Sequence, residues 1–223
     1  MKGFRVKEYP VPKGTKFEEG GETFTIVGPL DDQQFVDYSN RWPKANRQLR
    51  DRPDNPFMFS SGIIKIWAVF DEHGYPVSKS GLTIQSNVIG DGGSYTVGGF
   101  DNHSKKYGTS YLKRGFFKKL QKYRIPYAKE QAEAKNVPLV FSLQNDEPWR
   151  KATYIKLGFE VIDKAEEKHS HLPEDIYEKL KKKNRTYCIW LPDSLKVDKS
   201  MKKIWGILNS DKKNNMWKEI LKG

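Results

Sequence analysis

The sequence predicts a mixed α/β fold, a mostly antiparallel central sheet flanked by helices. Apolar–polar alternation marks a strand at residues 23–27, and residues 63–70 and 77–85 read as two further strands joined by a turn as a hairpin. Residues 93–121 and 137–159 then read as strand, glycine-containing turn, basic helix, second strand, and a helix ending in Tyr154-Ile-Lys156-Leu-Gly158-Phe159. A strand feeding a turn whose amides open onto a helix is a ready anion site. A second strand and helix beside it make a βαβα unit with a crevice at its edge. That order points to a phosphate-bearing cofactor held by backbone.

Residues 1–22 are rich in Pro, Gly and charge and read as an extended arm. After the strand at 23–27, Asp31 or Asp32 offers an N-cap, with Leu30, Phe35 and Tyr38 as apolar positions. Residues 40–56 are polar and carry Arg41, Arg47, Arg50 and Arg52. Gly90-Asp-Gly-Gly reads as a loop leading into a strand at 94–100. A helix is expected from Thr109, with Leu112, Phe116, Leu120 and Tyr123 on one face, interrupted at Pro126 and continued over 128–135. A strand at 137–143, a helix at 147–157 and a strand at 159–162 follow. A helix at 173–183 opening on Pro173 and a strand at 186–191 complete the domain, 23–192. Residues 193–223 read as an amphipathic helical tail, with Ile204, Trp205, Ile207 and Leu208 in one cluster and Met216, Trp217, Ile220 and Leu221 in another.

Composition bounds the function. Six Trp, 12 Phe and 11 Tyr among 223 residues supply a core despite a hydrophobic share of only 36%. The single cysteine, Cys188, excludes an intrachain disulfide and a cysteine-based zinc site, and its apolar strand makes it a core residue. His169 and His171 flank Ser170 without a carboxylate in register and read as a solvated loop, so no metal is expected. No apolar run approaches the ~18 residues of a membrane span, and the N-terminus lacks a signal peptide's apolar core. The expectation is a cytoplasmic protein (host cytoplasm if phage-encoded) with no membrane partner.

The net charge is +12. Residues 101–136 hold ten Lys/Arg against three Asp/Glu, and residues 196–223 eight against three, which accounts for the whole excess. Such a surplus fits an anionic cofactor, nucleic acid or an acidic surface, and equally a set of solvated helix faces.

The element order and two motifs resemble the GCN5-related N-acetyltransferase (GNAT) superfamily. Its acetyl-CoA loop reads [Q/R]-x-x-G-x-[G/A] after the fourth strand. The matching register here is Lys105-Lys106-Tyr107-Gly108-Thr109-Ser110, with Lys105 for the Gln/Arg and Ser110 for the final small residue. The loop must offer amides to a pyrophosphate at a helix N-terminus; Thr109 or Ser110 can cap that helix, and Lys105 and Lys106 add charge. The family's fourth helix often closes with N-x-x-[A/S]-x-x-x-Y-x-K-x-G-F, which Tyr154 to Phe159 fits in spacing. Asn145 lies two residues upstream of the usual Asn, and Arg150 holds the small-residue position.

The resemblance implies direct attack of an amine on the thioester of acetyl-CoA. Tyr154 falls where the family often has the tyrosine that protonates the leaving thiolate; packing beside Leu157 is its other reading. Asp101 and His103 are the nearest bases for the ammonium, or else loop caps. Phe100 lends backbone groups to the pantetheine arm, and Asn145 is the remaining expected cofactor contact. The acceptor amine is open. A second reading keeps the fold but takes nucleic acid as substrate, similar at fold level to phage Mom-type DNA-modifying enzymes. Lys105-Lys-Tyr, Phe116-Phe-Lys-Lys and Lys122-Tyr-Arg would then track phosphates and stack on bases. A third is a non-catalytic adaptor that has lost cofactor binding.

Overall fold

A computed structural model describes residues 8–39, 41, 63–96, 111–143, 148–162 and 186–197. The fold is mixed α/β. Among the described residues, eight strands form one sheet in the order β1-β2-β3-β4-β5-β6-β8-β7, mostly antiparallel. Packing separates two compact units, Met1–Thr83 with Gly92–Arg124, and Ile84–Asp91 with Ile125–Gly223. Strands β4 (Pro76–Ile84) and β5 (Ile89–Thr96) and helix α2 (Phe116–Lys135) contribute residues to both.

In the first unit, β1 (Thr15–Glu19) and β2 (Glu22–Leu30) pair antiparallel from Thr15↔Ile26 to Glu19↔Glu22. The end of the expected arm is therefore an edge strand. Its polar sequence conceals it, because Phe17 is its one apolar residue, stacking on Phe24 at 5.6 Å. β3 (Ile63–Phe70) pairs antiparallel with β2, with an irregularity between Val27 and Leu30.

Helix α1 (Asp32–Ser39) starts where expected. Asp31 is the cap: its Oδ1 accepts from the Gln34 amide at 2.8 Å, and its own amide donates to Gln34 Oε1 at 3.0 Å. That reciprocal pair is a capping box. Phe35 buries against Leu30, Ile66, Ala68 and Phe70, and Tyr38 sets its ring edge-on to Phe70 at 5.0 Å. Successive strand residues face opposite ways, so Phe24 points to the other side and meets Phe116 of α2 at 4.8 Å.

Three expectations about this region are corrected. β5 begins at Ile89, so Gly90-Asp-Gly-Gly is strand. A Cβ on Gly92 would lie 2.8 Å from the backbone of Gly81 on β4, so glycine here permits close strand approach. Helix α2 starts at Phe116, with the Lys119 amide donating to Gly115 O. The preceding Lys113 is left-handed (φ 61°), which no helix starting at Thr109 could accommodate. Pro126 lies inside α2 without ending it. Pro126 and Lys122 are both exposed, so the Lys122 carbonyl that loses its partner faces water.

In the second unit, β5 starts parallel to β6 (Leu139–Leu143) through Ile89↔Leu139 and Gly90↔Val140. β8 (Thr186–Trp190) pairs antiparallel with β6 on one side and with β7 (Glu160–Ile162) on the other. Cys188 is buried in the middle of β8, as expected. α3 (Pro148–Lys156) precedes β7. A short α4 (Asp193–Val197) at the start of the expected tail buries Leu195. The expected helix at 173–183 and tail helices at 200–223 lie outside the described residues, as does the segment 40–56 apart from Arg41.

Phe24→Ala should cost about 3–5 kcal/mol by urea denaturation, since it empties a fully buried aromatic site. Asp31→Ala should cost about 1 kcal/mol, the worth of one cap. Equal losses for the two would show that the aromatic contacts of Phe24 are not the core of this unit.

Candidate functional site

Of the residues expected to do chemistry, the described structure places Tyr154 alone. Phe100, Asp101, His103, Lys105, Lys106, Tyr107, Gly108, Thr109, Ser110 and Asn145 lie outside the described residues.

The Tyr154–Phe159 motif forms a helix stop with a specific geometry. The Gly158 amide donates to Ile155 O at 2.9 Å, and the Phe159 amide to Tyr154 O at 3.0 Å. Those two bonds make a Schellman closure, which places Gly158 in the left-handed region, here φ 81°. The apolar contact that accompanies such closures is Tyr154 against Phe159, rings 5.3 Å apart and edge-on. Both pack on Phe141 of β6, at 5.6 and 5.4 Å. Lys129 of α2 donates to Leu157 O at 2.7 Å, a cation at the negative end of α3, with Phe159 and Trp190 beneath it. Tyr154 is 1% exposed. Its ring is core; only its hydroxyl is a candidate for chemistry.

In the first unit, Tyr111, which follows the expected cofactor loop, is fixed by its hydroxyl, which donates to buried Asp71 Oδ2 at 3.2 Å. The same carboxylate takes the amides of His73 and Tyr75, each at 3.0 Å, closing the β3–β4 turn. Much of the basic segment is engaged within the protein. Arg114 pairs with Glu22, Lys119 with Glu19 at 3.2 Å, and Arg124 is fully buried.

Arg124 was not foreseen. Its Nε donates to Gln121 Oε1 and one terminal nitrogen to Gly81 O, both at 2.8 Å; Gln121 Nε2 donates to Ser80 Oγ at 3.2 Å. The signal was the spacing Phe116, Leu120, Arg124, which continues the buried stripe at i+4. Tyr123, expected on that stripe, is 38% exposed instead.

Arg41 is also fixed. It lies between the rings of Tyr9 (5.0 Å) and Tyr38 (4.6 Å) and donates to the carbonyls of Pro10 and Gly74. Burial lowers its pKa, while Tyr38 and Tyr9 pull the other way. A cleft of about 220 Å³ sits where the β2–β3 ladder is irregular, lined by Lys13, Val27, Gly28, Trp67 and Tyr123. Among the described residues no group of three His, Cys, Asp or Glu is placed to hold a metal, and no helix is long and apolar enough to cross a membrane.

No protein-family model matches the sequence, and no curated protein sequence matches it. Among solved structures, NAA60 of Arabidopsis thaliana with a bisubstrate analogue overlaps with a TM-score of 0.42 at 10% identity, over 76% of this chain and 98% of that one. The ribosomal-protein-S18-alanine N-acetyltransferase of Escherichia coli gives 0.37 at 11% identity, over 74% and 90%. A GNAT superfamily phosphinothricin acetyltransferase of Sinorhizobium meliloti, in complex with AcCoA, gives 0.34 at 14% identity, over 58% of this chain; the chain spans 62% of that protein. Overlaps this loose do not assign an activity.

Gly158→Ala should lower stability by about 1–2 kcal/mol, the cost of a side chain in the left-handed region. Thermal or urea unfolding measures it, and no loss would show that the closure of α3 does not depend on that backbone state.

Proposed function

We propose that this chain is an acyl-CoA-dependent N-acyltransferase of the GNAT type, transferring an acetyl group from acetyl-CoA to an amine. The observation that carries the reading is the parallel ladder of β5 and β6, joined in sequence through α2 and followed by the α3 closure. This is the strand–helix–strand order that resembles the family, and in sequence Lys105 to Ser110 fall between β5 and α2. A turn ahead of a helix suits a pyrophosphate.

The reaction needs little covalent help. The amine lone pair attacks the thioester carbonyl carbon, the C–N bond forms, the C–S bond breaks, and the thiolate leaves. Positioning both substrates supplies most of the rate, up to about 7–11 kcal/mol in well-oriented systems. The thiolate takes a proton from the Tyr154 hydroxyl, since a phenol stays protonated near neutrality. The ammonium proton leaves before attack, to Asp101, His103 or water. Proton transfer of this kind contributes about 10²–10⁴-fold.

Calorimetric titration of acetyl-CoA, with CoA as comparison, is the direct test; micromolar binding is expected, and absence of both heats would leave the adaptor reading. Gly108→Val should abolish that binding, because a side chain blocks amide approach to the pyrophosphate. Tyr154→Phe should leave binding intact and cut turnover about 10²-fold or more. An unchanged rate would reduce Tyr154 to its packing role.

A further inference from the structure

The buried polar row of the first unit ends at the surface, and its direction is fixed. Arg124 is wholly buried and its guanidinium is donor-only. Its Nε–H therefore requires Gln121 to present Oε1 at 2.8 Å, which turns Gln121 Nε2 toward Ser80 Oγ at 3.2 Å. Ser80 is 0% exposed and accepts that proton. Its own hydroxyl proton needs an acceptor inside the protein, and the one the described residues offer is Ser94 Oγ on β5, at 2.7 Å. Ser94 thus accepts from within. Its side chain is exposed and, among the described residues, makes no other hydrogen bond, so its proton points outward.

We infer that Ser94 is a hydrogen-bond donor to a ligand carbonyl oxygen, aimed from the interior by the chain Arg124–Gln121–Ser80. Every donor in the row points away from the buried cation, so its outer end favours an oxygen lone pair and disfavours an ammonium. The inference rests on the acyltransferase reading for the identity of the ligand. An acyl-CoA carries carbonyls of two kinds, the thioester and the amides of the pantetheine arm, and both present the same chemistry to a hydroxyl. Gln121 and Ser80 never touch the ligand; they are positioning residues.

The test is calorimetry of the full chain with acetyl-CoA and with CoA. Ser94→Ala should weaken acetyl-CoA about tenfold, the worth of one hydrogen bond, and Ser94→Thr, which keeps the hydroxyl, should restore it. Equal loss for CoA assigns the contact to an arm amide; loss for acetyl-CoA alone assigns it to the thioester. The decisive variant is Gln121→Glu. A carboxylate accepts from both Arg124 and Ser80, so Ser94 must turn its proton inward to Ser80, and the same tenfold loss is expected with the Ser94 side chain intact. If Gln121→Glu fails to fold, the Ser94→Ala and Ser94→Thr pair still decides. Wild-type affinity in Ser94→Ala overturns the inference and leaves the acyltransferase reading standing. Wild-type protein that binds neither acetyl-CoA nor CoA overturns both.

Discussion

A guanidinium that cannot reach water constrains much of the first unit. Arg124 is buried where a leucine would continue the helical stripe of Phe116 and Leu120. A charge in such a place is tolerated only when its donors are met, and losing a partner there typically costs several kcal/mol. Gly81 O and Gln121 meet two of them. The register of α2 on β4 then follows, since a slide of one residue would carry the guanidinium away from both acceptors. The position of Phe116 against Phe24 and Phe17 is tied to the same docking.

The basic composition reads differently once these contacts are known. A surplus of cations over residues 101–136 suggests a face for phosphates. Arg114 and Lys119 instead bind the β1–β2 hairpin through Glu22 and Glu19, Lys129 closes the end of α3, and Arg124 is internal. Phe116, which could have stacked on a base, is core. Charge counted along a sequence overstates charge offered to a partner, because long cationic side chains also serve as internal clamps.

Local rules were legible wherever short-range chemistry decided the structure. β3 matched its expected bounds residue for residue, Asp31 capped α1 as one of two candidates, and Tyr154 to Phe159 closed α3 with its glycine where the motif has one. The failures came where tertiary context overrode the local signal. β1 looks polar because Phe17 is its one apolar residue. The glycines of β5 look like a loop because their reason, the approach to Gly81, lies on another strand. Pro126 looks like a break because solvent on its side of α2 is invisible in sequence. The site was less legible than the fold: of the expected residues only Tyr154 lies among those described, and the row ending at Ser94 has no motif, being spread over a helix and two strands.

The chain's one thiol has a use as a clock. Cys188 sits at the centre of β8, opposite Phe141 of β6 on one side and Val161 of β7 on the other. A thiol reagent in solvent reaches it only when β8 is uncovered. Under conditions where reclosing outruns labelling, the alkylation rate measures the opening free energy of the second unit in the native protein. The first unit carries no cysteine and stays silent in that measurement. The sequence thus carries a native reporter of opening confined to one of its two units, with no label to add and no residue to change.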